Sequence, residues 1–176
     1  GALGSQLSDR WDQYVARHLL PRLYGLELML PACVVATLKL VTALAETGFS
    51  FTRPSRLEIS LANTLAGPSE RQRSLFAERE NSFLPAAAAG RDAACRSPFT
   101  VIVGNPPFSG ISQQQSRWIV DLLRGSEGGR GGWVNYFEVD GRPLGERKTW
   151  LQDDYVKFLR FAHWKIETTG AGIVGL

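Results

Sequence analysis

The chain has 176 residues, of which 44% are hydrophobic, and this suffices for one domain with a sizeable core. Its net charge of +3 permits a nucleic-acid partner but is too small to argue for one. The two cysteines, Cys33 and Cys95, lack CxxC spacing; this excludes a disulfide framework and a cysteine zinc site and points to a reducing cytoplasm.

The opening GALGSQLSDRW has neither a basic n-region nor an apolar h-region, so it does not read as a secretory signal. Ser8 is a candidate cap for a helix running to about Leu20, with Trp11, Val15 and Leu19 on one face and Pro21 as its stop. Leu23 to Leu28 reads as a short strand. Pro31 opens a nearly all-apolar helix that Gly48 ends. Lys39 interrupts it, and it is too short to span a bilayer. A helix that apolar is expected to be covered on two sides. Arg56 to Leu65 alternates as a half-buried strand should. Ser69 to Asn81 reads as an exposed charged helix and Pro85 to Cys95 as an Ala-rich one. Val101 to Val103 is a β-branched strand.

Beyond it the signal fades, and residues from about 109 to 150 read as a flexible loop holding one short helix near Trp118 to Leu123. SEGGRGG has linker composition. Asp153 then caps a helix with Tyr155, Leu159, Ala162 and Ile166 on one face; Gly170 closes it, and Gly172 to Leu176 begins one more strand. Helices alternating with strands imply an α/β domain: a mostly parallel sheet with helices on both faces.

The most informative stretch is VIVGNPPF, 101–108. Pro106 and Pro107 stop the strand, because neither donates a ladder hydrogen bond and each fixes its own φ. The result is a stiff loop at the carboxyl end of a buried strand, where open α/β sheets place ligands. Asn105 brings an amide, Pro106 a carbonyl that no helix uses, and Phe108 an aromatic face. That set suits a planar amino-bearing group: two acceptors for an NH2 and a ring to stack on the base behind it. Taken alone, Asn-Pro-Pro is more often a plain turn; the Val/Ile strand before it and the aromatic after it favour the functional reading.

At these residues the chain resembles the amino-group methyltransferases that use S-adenosylmethionine, whose catalytic loop reads Asn/Asp/Ser-Pro-Pro-Tyr/Phe after the fourth strand. With the flanking text (RLYGLELMLPACVVATLKL, LEISLANTL, WLQDDYVKFLRFAHWKIETTGAGIVG), it looks like the large adenine-N6 DNA methyltransferases of restriction–modification systems, closest to the kind fused to helicase and nuclease parts. The resemblance implies a Rossmann-like core, incomplete at both ends, filling 1–176 as a partial catalytic domain in the cytoplasm. It implies S-adenosylmethionine as cofactor and DNA as partner. It also implies no metal, no membrane, and further domains of the same polypeptide for target recognition and helicase or nuclease work.

Asn105, Pro106, Pro107 and Phe108 would be the catalytic set. Glu27, at the end of its strand, would accept both ribose hydroxyls of the cofactor, as carboxylates do in dinucleotide-binding folds. Leu28 would touch the cofactor's adenine. Asn63 stands where many relatives carry Asp, and its carbonyl can still accept from that adenine's amino group. Without the downstream motif, Glu27 is a solvated carboxylate and Asn63 a strand-end turn residue.

His18 and His163 lack ligand spacing and read as structural. Trp150, Phe158, Phe161 and Trp164 read as core, and Arg71, Arg73 and Arg79 as a solvated face. The chain departs from the family in lacking a Gly-rich loop after a first strand. The loop chemistry alone also permits rRNA guanine N2 or protein glutamine as substrate. The missing Gly-rich loop keeps open a non-catalytic DNA-binding or assembly module that retains the fold.

Overall fold

The structure is a computed structural model that describes residues 2–51, 57–68, 90, 92–107, 116–127, 129–145 and 149–176. They fall into two compact units, one within 1–63 and 74–94 and the other within 64–73 and 95–176. The architecture is mixed α/β, with the strands in two-stranded sheets, two parallel and two antiparallel.

In the first unit, α1 (Ala2–Tyr14) continues through a wider turn at Val15–Leu19 and a tight one at Leu20–Arg22. Ser8 therefore lies inside α1 and does not cap it. Pro21 sits in the tight turn, where its missing N–H costs nothing. Strand β1 (Tyr24–Glu27) follows, then α2 (Leu30–Glu46), with Pro31 in its first turn as expected of a residue that cannot donate. Strand β2 (Glu58–Leu61) pairs parallel with β1, Glu27 lying opposite Leu61.

Among the described residues the core cluster of this unit is apolar. Val15, Leu20, Leu44 and Phe49 are buried, with Trp11, Leu19 and Leu57 packed against them. The face of α1 expected to be buried is the one that packs. α2 differs from expectation among the described residues: Val35 and Leu38 stay 51% and 61% exposed. No helix among the described residues is long and apolar enough to cross a membrane.

In the second unit, β3 (Val101–Val103) pairs parallel with β8 (Ile173–Gly175). Between them lie α3 (Arg117–Leu123), β4 (Arg124–Glu127), β5 (Arg130–Asn135), β6 (Glu138–Val139), β7 (Arg142–Pro143) and α4 (Asp154–Thr169). The short helix expected near Trp118 is α3. The glycine-rich run read as a linker is instead paired, as the antiparallel hairpin β4–β5.

Asp153 caps α4 through its carboxylate, which accepts from the Tyr155 amide at 2.8 Å, and Gly170 closes the helix, both as expected. The buried face of α4 meets the expected one only at Ala162. Leu159 is exposed, whereas Lys157, Arg160 and Lys165 are buried beside Phe161, Ala162 and Trp164. The aromatics pack edge to face, with Trp118 and Trp164 centroids 5.2 Å apart at 84°. Trp150, expected in the core, is exposed. Residues 92–96 are helical; the rest of the two helices expected over 69–95 lies, apart from residue 90, outside the described residues.

Candidate functional site

Parallel strands end on the same side of their sheet, and this decides which candidate residues come together. In the first unit the Ala62 amide donates to the Glu27 carbonyl at 2.8 Å, continuing the β1–β2 ladder past Leu61. Glu27, Leu28 and Asn63 therefore share one sheet end, the carboxyl end. Glu27 is half-buried. Its Oε1 accepts from the Met29 amide at 2.8 Å, at the N-terminus of α2, where backbone donors lack helical partners. That bond aims the carboxylate and leaves Oε2 for another donor. Leu28 is exposed beside it. Asn63 immediately precedes a tight turn at Thr64–Ala66.

In the second unit the Gly104 amide donates to the Gly175 carbonyl at 2.9 Å, so β3 stays paired to its last residue and Asn-Pro-Pro begins where pairing stops. Pro106 is buried, while Asn105 and Pro107 are exposed on either side of it. Among the described residues nothing donates to the Asn105 amide oxygen or to the Pro106 carbonyl. Two acceptors are thus held on a stiff support, with no donor to either among the described residues. Phe108, the fourth member of the expected set, lies outside the described residues.

α4 carries a polar network that the spacing of its apolar residues does not reveal. Arg160 is fully buried; its Nε donates to the Leu122 carbonyl at 2.9 Å and its Nη1 to Glu167 Oε2 at 2.8 Å. The guanidinium faces the Tyr136 ring at 5.3 Å, and the Tyr136 hydroxyl lies 3.1 Å from His163 Nδ1. His163 Nε2 is 3.8 Å from Glu167 Oε1, closing the ring of contacts. Burial raises the Tyr136 phenol above its ordinary value, opposed by the Arg160 charge. Burial likewise lowers Lys157 and Lys165, opposed by Asp154 for the first and by Cys95 and Glu127 for the second. The signal that could have found this face is the i, i+3, i+7 spacing of Arg160, His163 and Glu167, which puts three polar groups on one stripe.

Among the described residues no group of three or more His, Cys, Asp or Glu converges to hold a metal ion. Comparison of the chain with protein-family models, with curated proteins and with solved structures finds no match.

Proposed function

We propose that the chain carries the core of an S-adenosylmethionine-dependent methyltransferase acting on adenine N6 in DNA, with the Rossmann-like parallel sheet that such an enzyme needs. The observation that carries the reading is the loop at the carboxyl end of β3. Among the described residues nothing donates there to Asn105 Oδ1 or to the Pro106 carbonyl, on a backbone that two prolines stiffen.

An exocyclic amine is a poor nucleophile because its lone pair is delocalised into the ring. Two acceptors that take hydrogen bonds from its NH2 localise the lone pair on nitrogen and aim it. Nitrogen gains positive charge as it is alkylated, so fixed carbonyl dipoles stabilise the transition state more than the ground state. A base in a duplex must be flipped out to reach such a loop, and Phe108 would offer it a face to stack on.

S-adenosylmethionine, when bound, supplies the methyl group on a sulfonium leaving group. Glu27 suits a nucleoside: its carboxylate is aimed by the Met29 amide at the end of a parallel strand, with one oxygen left to accept from ribose hydroxyls. Leu28 would cover the cofactor's adenine and Asn63 would accept from its amino group.

The test offers the intact protein labelled S-adenosylmethionine with duplex DNA, rRNA or a protein extract, each separately. N6-methyladenine recovered from DNA supports the reading. Label only in rRNA or protein rejects the substrate class, and no label anywhere points to a non-catalytic module. Asn105→Ala should slow methyl transfer about 10²–10³-fold, the loss typical of one pre-aimed polar group. Calorimetry should show cofactor affinity unchanged. Turnover within a few-fold of wild type would remove Asn105 from the reaction.

A further inference from the structure

Lys165 is a buried cation with no part in the proposed chemistry, and its two hydrogen-bond acceptors among the described residues lie on one short stretch of chain. Its Nζ donates to the Cys95 carbonyl at 2.7 Å and to the Ser97 carbonyl at 2.5 Å, and sits 4.9 Å from the centre of the Phe99 ring. One turn further along α4, Thr169 Oγ1 accepts from the Phe99 amide at 3.2 Å and donates to the Lys165 carbonyl at 2.9 Å. The Thr100 carbonyl then accepts from the Ile173 amide at 2.8 Å, where β8 joins β3. Residues 95–100 are therefore gripped by the end of α4 and the start of β8, and they feed directly into β3 and the Asn-Pro-Pro loop.

A site that needed only to be filled would favour an apolar side chain, because an ammonium loses its water on burial. Lysine is justified here by what it reaches. The Cys95 and Ser97 carbonyls lie at and just beyond the end of the helical turn 92–96, and one ammonium bonds both at once. Gly172 completes the grip: a Cβ there would strike the Ile166 side chain and the Thr100 carbonyl, so no larger residue allows the two segments to approach this closely.

We propose that Lys165 is a positioning residue, which fixes the entry of β3 and through it the place of the Asn105–Pro107 loop. The consequence for methyl transfer rests on the function proposed above; the positioning itself does not.

The experiment is amide hydrogen exchange on the intact protein, comparing wild type with Lys165→Met, which fills the same space without charge. Exchange at the Phe99 and Gly104 amides should speed up at least about tenfold, with Val120 in α3, bonded to the Ser116 carbonyl, within about twofold. An equal change at all three amides, or none at Gly104, overturns the proposal. If Lys165→Met does not fold, Lys165→Gln, which keeps an NH2 donor and drops the charge, is read by the same ratio.

In the methyl-transfer assay kcat should fall at least about tenfold while S-adenosylmethionine affinity stays within about twofold. A fall in affinity with kcat unchanged would also overturn the role. Should the wild type show no methyl transfer, the function proposed above is what fails, and the exchange ratio still decides the positioning.

Discussion

The two parallel strand pairs are built alike and supported differently. β1–β2 leans on α2, an apolar helix, and, among the described residues, on the buried cluster of Val15, Leu20, Leu44 and Phe49. β3–β8 leans on α4, whose buried face carries two lysines and an arginine among its aromatics. Apolar packing is tolerant: it places a strand to within the slack of its side chains. Hydrogen-bonded cations have only a few acceptable geometries and are costly in the wrong one. The pair with the stiff Asn-Pro-Pro loop has the second kind of support.

The largest expected effect separating the two kinds comes from Arg160→Ala. It strips donors from the Leu122 carbonyl and from Glu167 in a buried setting, and a urea melt should show a loss of about 3–5 kcal/mol, reduced towards the lower figure because Glu167 is partly exposed. A loss below about 1 kcal/mol would show that the network is ornamental and erase the contrast.

Leu44→Ala probes the other unit. Removing this buried side chain from the small cluster should cost about 2–3 kcal/mol, the low end for Leu→Ala, because a thinly covered core can relax into the space. A cost above that of Arg160→Ala would reverse the comparison.

The smallest effect is in pH dependence. The raised Tyr136 keeps its proton in the folded state when the unfolded chain has begun to lose it, so its contribution is intact below about pH 10 and drains away above. Lys157 and Lys165 act with the opposite sign. Each is lowered on folding, so the penalty for holding a buried ammonium is full at neutral pH and is relieved as pH climbs toward about 10.5. In Tyr136→Phe only the lysine contribution remains among these groups. Urea midpoints between about pH 9 and 11 should therefore rise more steeply with pH in Tyr136→Phe than in wild type. Parallel slopes would show that Tyr136 does not titrate as its surroundings imply.

These contrasts also explain what was legible in the chain. β2 and β3, and both ends of α4, could be read because their signals are local: alternation in β2, a Val-Ile-Val run in β3, an Asp before the first turn of α4, a Gly after its last. The start of α1 could not, since Ser8 suits a cap in sequence yet stands within a longer helix. The buried side of α4 was hidden for another reason. Periodicity weighs Lys157, Arg160 and Lys165 as solvent residues, whereas their stems are apolar and their charged heads found partners from β3's approach, from α3 and from their own helix.

The hairpin β4–β5 was read as a linker because its glycines suggest looseness. At Gly125 the glycine is there for geometry: φ is 77°, and a Cβ would collide with the Trp133 carbonyl. A cleaner signal lay in Asp140–Gly141, both at positive φ between β6 and β7, as a tight hairpin turn requires. As for the candidate site, the chain shows which residues stand at strand ends. That Glu27 is aimed by an amide, or that Pro106 is buried while Asn105 is not, depends on atoms no motif contains.

The Phe99–Thr169 hydrogen bond spans 70 residues, and the β3–β8 pairing has a similar reach. During synthesis at about 5–20 residues per second, β3 would leave the ribosome roughly 4–14 s before its partner strand exists. Through that interval a Val-Ile-Val strand presents an unpaired edge, the condition under which chains cross-pair with one another. The two prolines that follow would then serve a second purpose: they cannot extend a ladder, so they keep any wrong pairing from running on past Asn105 until β8 arrives.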